Sequence, residues 1–183
     1  SDMVHGDLKP ANIMGVNPGA KGEQAKVLDF GLARLMSEGA NKLQHWTKTG
    51  ELVGSVYYMS PEQCMGKATD ARSDIYSLGC VLYEALAGAP PLMADTPVGL
   101  IYLHVNAYPP PLEQVLTGDT VVPAGLNDVL MRAMAKDPDQ RFQTMLEMSN
   151  SLTLVEEGRG VEIAAFSMRR SSAAKKATNI KLR

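Results

Sequence analysis

Apolar residues fall at helical spacing most densely between positions 74 and 87. Ile75, Leu78, Leu82 and Leu86 mark one face there, and Cys80, Val81 and Ala85 fill the others. A helix apolar nearly all round is a buried one, so this segment is predicted to run through the interior. Gly88 and the Pro90-Pro91 pair end it. The spacing predicts a shorter helix over 98–105, stopped before Pro109-Pro110-Pro111. Leu126, Val129, Leu130, Ala133 and Met134 predict a third, terminated by Asp137-Pro138. A last amphipathic helix is expected over 144–155.

Ahead of these helices the pattern changes. Residues 1–12 read as a loop, because Gly6 and Pro10 interrupt regular structure. Short apolar runs at 13–16 and 25–30 flank Asn17-Pro18-Gly19 and Gly22. That arrangement predicts two strands joined by a hairpin loop longer than the minimum. From 31 to 60 no periodicity is sustained, and Gly, Ser, Thr and Lys are frequent. A connection of that length inside a compact domain is usually functional. Beyond Gly158 the apolar pattern fades into a Ser/Ala/Lys/Arg stretch that reads as a linker.

With 183 residues, 45% hydrophobic and 21% charged, the chain can bury a core and makes about one domain. Its net charge of −2 conceals an asymmetry. Residues 158–183 hold seven basic residues and one acid, Glu162, whereas the rest holds 11 basic and 19 acidic residues. The total of −2 gives no ground for a nucleic-acid partner, and the split is an acidic body with a basic tail. Cys64 and Cys80 lack metal-ligand spacing and read as reduced, partly buried thiols of a cytoplasmic protein. No stretch approaches the roughly 18 apolar residues of a membrane span, and no signal peptide precedes the first motif.

The chemistry is concentrated near the start. His5-Gly6-Asp7-Leu8-Lys9-Pro10-Ala11-Asn12 places an acid, a cation and an amide within six positions. Asp29-Phe30-Gly31 adds a second acid at the end of the second predicted strand. Phosphoryl transfer needs such a set: a carboxylate to orient the acceptor hydroxyl, a cation facing the transferred group, and oxygens for Mg²⁺. Either motif alone is modest evidence, since a tripeptide such as Asp-Phe-Gly also occurs as a plain turn after a strand. Order and spacing decide. Gly54-Ser55-Val56-Tyr57-Tyr58-Met59-Ser60-Pro61-Glu62 follows, then Ser73-Asp74-Ile75-Tyr76-Ser77-Leu78-Gly79, then Arg141 after Asp137-Pro138.

This series resembles the catalytic loop, metal-binding motif, end of the activation loop and central helix of protein kinases. The resemblance covers roughly residues 3–155. It implies a mainly α fold, the C-terminal lobe with a small β-hairpin, within a two-lobed α+β parent. Residues 1–157 are assigned to that lobe and 158–183 to the tail. It implies ATP and Mg²⁺ as cofactors and proteins as substrates. Asp7 is then the catalytic base, Lys9 stabilises the phosphoryl charge and contacts nucleotide, and Asn12 and Asp29 hold the metals. Glu62 pairs with Arg141, Asp74 bonds the catalytic-loop backbone, and Ser55 keeps a hydroxyl near Asp7 and Lys9. Lys9 two residues after Asp7 fits Ser/Thr rather than Tyr specificity. Tyr58-Met59-Ser60-Pro61-Glu62-Gln63, Asp95-Thr96-Pro97-Val98 and Pro109-Pro110-Pro111 are similar to bacterial Hanks-type receptor kinases. In that setting His104 is a structural or surface residue, and His5, Tyr57 and Tyr58 serve packing.

Two departures qualify the likeness. Gly6 stands where regulated relatives carry the arginine that binds an activation-loop phosphate. The Gly-rich phosphate loop, strand lysine and helix glutamate of the small lobe are also not in this sequence. The expectation is therefore a lobe inactive alone and completed in cis by its N-lobe. The alternative is a pseudokinase or scaffolding lobe. Thr47 and Thr49 resemble the autophosphorylated pair of bacterial receptor kinases, against a reading as ordinary polar loop residues. The basic tail reads either as a solvated linker or as a juxtamembrane segment attracted to anionic lipid, with the parent anchored and its kinase domain cytoplasmic.

Overall fold

The central helix is built from its caps inward. In the computed structural model, which describes residues 4–16, 24–29, 52–117 and 121–160, it spans Ala71–Ala87. The Asp70 side chain accepts a hydrogen bond from Arg72 N–H and caps the start, and Gly88 at φ 77° closes the end. The helix begins three residues before the apolar pattern does, because the side its first turn turns inward carries the polar Ser73 and Asp74. Close packing follows at Gly79, where a Cβ would stand 3.0 Å from both Ala133 Cβ and Met134 Cγ.

Around it lie six shorter α-helices and one hairpin among the described residues. β1 (Ile13–Val16) pairs antiparallel with β2 (Gln24–Val27) in the register Ile13↔Val27 to Val16↔Gln24. The second strand was expected to reach residue 30. It stops at Val27 because Asp29 turns to φ 60°, a left-handed conformation that cannot continue a ladder. α1 (Leu52–Ser55), α2 (Pro61–Cys64), α3 (Ala71–Ala87), α4 (Pro97–Asn106), α5 (Leu112–Val115), α6 (Leu126–Ala133) and α7 (Met145–Glu156) follow in order. The mainly α lobe with a two-stranded hairpin is thus what the chain forms. α1, α2 and α5 are too short for periodicity to reveal.

Both long sides of α3 are buried, in two different clusters. Ile75 clusters with Val129 and Ala133 of α6, Met148 and Val155 of α7, and Phe142 between the two helices. Tyr76, Cys80 and Tyr83 cluster with Leu112 of α5, Leu130 of α6 and Met134 just after it. Each fully buried large apolar side chain contributes about 1.5–3 kcal/mol, so these contacts fix α3 as the axis of the lobe. A third cluster, Val56, Met59, Cys64, Leu92 and Leu100, sits under the segment joining α1 to α2 and against α4. Both cysteines are buried and unpaired to each other.

Of the two placements left open for His104, surface and interior, it takes the interior one. It is fully buried on α4, with Nδ1 2.9 Å from the Tyr76 hydroxyl. Burial, with the Lys136 charge added, pushes it down to about 4, so it stays neutral. After α7 the chain stays on the lobe as far as Gly160, which is buried against Ala124 and Gly125. A Cβ on Gly125 would collide with the Gly160 backbone, and one on Gly160 with the Ala124 carbonyl. No described helix is long and apolar enough to cross a membrane.

Candidate active site

The loop carrying Asp7 hangs from α3. Asp74, in the first turn of that helix, accepts from His5 N–H at 2.7 Å and from Gly6 N–H at 2.8 Å, one carboxylate oxygen for each. Burial pushes the Asp74 carboxyl above its ordinary value, and the two N–H donors pull against that. His5 is buried and spans two segments. Its Nδ1 accepts from Asp7 N–H at 3.3 Å, which leaves the proton on Nε2 to be donated to Leu28 carbonyl at 2.8 Å. Leu28 N–H in turn donates to Asn12 carbonyl at 2.8 Å. The residue before Asp29 is therefore fixed to the loop that carries Asp7.

Gly6 lies at φ 75°. A side chain at that angle is strained, whereas glycine reaches it at little steric cost. The loop thus turns at Gly6 and presents Asp7 half-exposed, with Leu8 buried behind it.

Four of the residues singled out in the sequence come together here. Lys9 Nζ is 2.8 Å from Asp7 Oδ2 and donates to Ser55 Oγ at 2.9 Å. Asn12 is buried and donates from Nδ2 to Asp7 carbonyl at 2.8 Å. That bond commits its nitrogen and leaves Oδ1 as the atom Asn12 can offer a cation. Asp29 is exposed, and its φ of 60° belongs to the class of backbone outliers that collect at ligand sites. Two side-chain oxygen donors suit Mg²⁺, which keeps waters and phosphate oxygens for its remaining positions. Among the described residues no cluster of three or more His, Cys, Asp or Glu could hold a metal alone. Phe30, Gly31, Thr47 and Thr49 lie outside the described residues.

Glu62 and Arg141 form an anchor at a different level of burial. Arg141 is fully buried, and its NH1 and NH2 reach Glu62 Oε1 and Oε2 at 2.7 and 2.8 Å. The guanidinium also donates to the carbonyls of Ala135, Arg72 and Lys136. Ser73 Oγ adds a 2.6 Å bond to Glu62. Burial raises the Glu62 carboxyl, but the Arg141 and Ser73 hydrogen bonds outweigh it and hold the group below its ordinary value. This anchor locks α2 to the turn after α6.

Sequence reading missed one contact to the loop. Gln63, next to Glu62, donates from Nε2 to Gly6 carbonyl at 2.8 Å. Its Oε1 accepts from Ser60 N–H at 2.9 Å, completing a capping box on α2. Ser60-Pro61-Glu62-Gln63 carries that capping signature in plain view. The bond to Gly6, 57 positions away, has no local signal.

Comparison with known proteins follows the same lines. A family model described as protein kinase domain matches residues 1–152. The serine/threonine-protein kinase PknB of Mycolicibacterium smegmatis is 44% identical over 156 residues, 85% of this chain and 23% of its own length. PknB of Mycobacterium tuberculosis strain H37Rv matches at the same identity and coverage. A probable serine/threonine-protein kinase, CE0033 of Corynebacterium efficiens, is 41% identical over 154 residues, 84% of this chain and 22% of its own. The chain spans less than a quarter of the length of these relatives.

Proposed function

The chain belongs to the protein kinase domain family, and on that premise we propose that it is the large lobe of a Ser/Thr protein kinase, completed in cis by an ATP-covering small lobe. The observation that carries the reading is the cluster in which Lys9 Nζ bridges Asp7 Oδ2 and Ser55 Oγ. It sets a carboxylate beside a cation on a half-exposed face, where an acceptor side chain can enter.

Mg·ATP, when bound, supplies the γ-phosphoryl group and the divalent charge that neutralises it. Asn12 Oδ1 and the Asp29 carboxylate are the residues that would hold the metal. Asp7 orients the serine or threonine hydroxyl and takes its proton as the oxygen–phosphorus bond forms and the bond to ADP breaks. Lys9 leaves its Asp7 contact to meet the charge on the transferred group, and Ser55 Oγ keeps its ammonium in place. Positioning and electrostatics are the main contributions such a site makes, because the loose transition state needs little covalent help.

Substrate proteins would carry serine or threonine acceptors, as the relatives' names imply for those proteins. Thr47 and Thr49 are candidate autophosphorylation sites. The basic stretch ending at Arg183 is assigned to an anionic membrane surface, with the catalytic lobe on the cytoplasmic side of an anchored parent. Its binding to phosphatidylserine vesicles should fall steeply with salt.

The test is phosphate transfer by the full-length protein with Mg·ATP and peptides bearing Ser, Thr or Tyr. Phosphoserine and phosphothreonine are expected. Phosphotyrosine as the main product, or ATP binding without any transfer, would overturn the assignment, and the second outcome would favour a pseudokinase.

A further inference from the structure

Gly6 and Asp7 share one planar peptide unit, with the Gly6 carbonyl at one end and the Asp7 N–H at the other. The orientation of that plane sets where the Asp7 side chain starts. Gly6 is the weak link in the loop. At φ 75° and without a Cβ it has the greatest rotational freedom of any residue type, so a flip of the following peptide meets little steric resistance. Its position is held through its two backbone groups alone, since it has no side chain to hold. Its N–H is held by Asp74 from α3. Its carbonyl is held by Gln63 Nε2 from α2.

The hold on the carbonyl is stiffer than a single surface hydrogen bond. Gln63 is fixed at its other atom, Oε1, by Ser60 N–H. Its neighbour Glu62 is pinned by Arg141 and Ser73 in the interior. The far end of the same peptide plane has a longer contact, 3.3 Å from Asp7 N to His5 Nδ1. We propose that Gln63 is a positioning residue for the transfer reaction: it clamps the Gly6–Asp7 peptide plane and so aims the Asp7 carboxylate. The clamp runs from the buried Glu62–Arg141 anchor through Gln63 to the loop, and involves no phosphate. The inference deepens the kinase reading above and rests on it for its kinetic arm.

Two substitutions separate this role from helix capping. Gln63→Glu keeps an oxygen for Ser60 N–H, since a capping box accepts Glu or Gln, but loses the donor to Gly6. Gln63→Met loses both and introduces no charge. In the full-length kinase both variants are expected to lower kcat at least about tenfold with KM for ATP within about twofold, as misaiming a catalytic group does. Gln63→Glu should melt within a few degrees of the unmodified protein. A normal kcat for Gln63→Glu beside a slow Gln63→Met would mean that Gln63 serves the cap alone and would overturn the proposal.

A measurement on the unmodified protein guards against variants that fail to fold. The Gln63 side-chain N–H and the Asp7 backbone N–H should be protected from hydrogen exchange, and rapid exchange of the Gln63 group would also overturn the clamp. Should the unmodified protein transfer no phosphate, the functional assignment fails, and the exchange result still decides the clamp.

Discussion

Two ion pairs of nearly equal length sit in opposite settings. Arg141 meets Glu62 at 2.7 Å with the guanidinium fully buried, and Lys9 meets Asp7 at 2.8 Å with side chains 25% and 36% exposed. The buried pair is surrounded by further donors and acceptors that fix both members. Three backbone carbonyls hold Arg141, and Ser73 holds Glu62. The exposed pair is held mainly through backbone, by Asp74 and Gln63 on the preceding residues, so its side chains stay free to exchange partners. One pair is part of the framework, with each member also fixed by further hydrogen bonds. The other is a half-exposed contact, which on the kinase reading proposed above a substrate would replace. Distance alone would not have distinguished them; burial and the number of fixed neighbours do.

The strongest way to break that contrast is to remove one partner from each pair. Arg141→Ala should destabilise the lobe by about 3–5 kcal/mol, because Glu62 is left charged and buried. Replacing both partners with apolar residues, as in Glu62→Leu/Arg141→Met, should cost much less than that. Chemical denaturation measures both. A single substitution within 1 kcal/mol of the unmodified protein would show that the pair is not the framework described.

Asp7→Asn is the matching test at the exposed pair. On the kinase reading proposed above, it should lower the kcat of the full-length protein at least about 10²-fold while leaving the melting temperature nearly unchanged. A rate loss accompanied by a large drop in stability would place Asp7 with the framework and not with the chemistry. Asp29→Ala should abolish productive Mg·ATP use, read as loss of metal-dependent nucleotide binding.

The sequence made these two regions unequally legible. Asp7, Lys9, Asn12 and Asp29 stand in a spaced motif, and the apolar run of α3 announces the axis from which the loop hangs. Local chemistry also fixes the helix ends, through Asp70, Thr96 and Thr144 at the N-caps. The start of α3 at Ala71 escaped the pattern, because a polar first turn has no apolar period. Asp29 ended β2 early through a φ angle that no side-chain alphabet encodes. Gln63 and His104 escaped for another reason. Each acts through one long-range contact, to Gly6 and to Tyr76, and neither lies at a position whose residue type demands it.

A smaller effect is expected at Thr47 and Thr49. A phosphate there adds about −1.5 to −2 charges and orders a loop only if a cation is positioned to meet it. Gly6 offers none, and the loop is already held by Asp74 and Gln63. On the kinase reading, the double substitution Thr47→Ala/Thr49→Ala should therefore lower phosphate transfer by the full-length protein by less than about tenfold, well below the scale of removing a catalytic group. A loss of a hundredfold or more would show that phosphate control reaches the site through another cation.

The smallest effect concerns a cation between the two extremes. Lys136 is partly buried, donates to the Tyr76 hydroxyl at 3.1 Å, and lies 5.3 and 5.6 Å from the rings of Tyr76 and Tyr108. Burial pushes its ammonium down to about 8. The sign of the consequence follows from proton counts. Between pH 8 and the ordinary lysine value of 10.5, the unfolded chain holds a proton at Lys136 that the folded chain has released. Stability at this group therefore rises with pH across that window, by no more than about 1.4 kcal/mol per pH unit. Cys64, which burial pushes up to about 12, works in the opposite sense, as do Cys80 and Tyr76. The net curve can hide the lysine, so the measurement is a difference. Unfolding free energies of the protein and of Lys136→Met should be compared at pH 7.5, 8.5 and 9.5. The unmodified protein should gain on the variant as pH rises, because only it can shed the buried proton. A difference that stays flat or shrinks would mean that Lys136 keeps its charge inside, paired as firmly as Arg141, and the ordering of the three cations by their surroundings would fail.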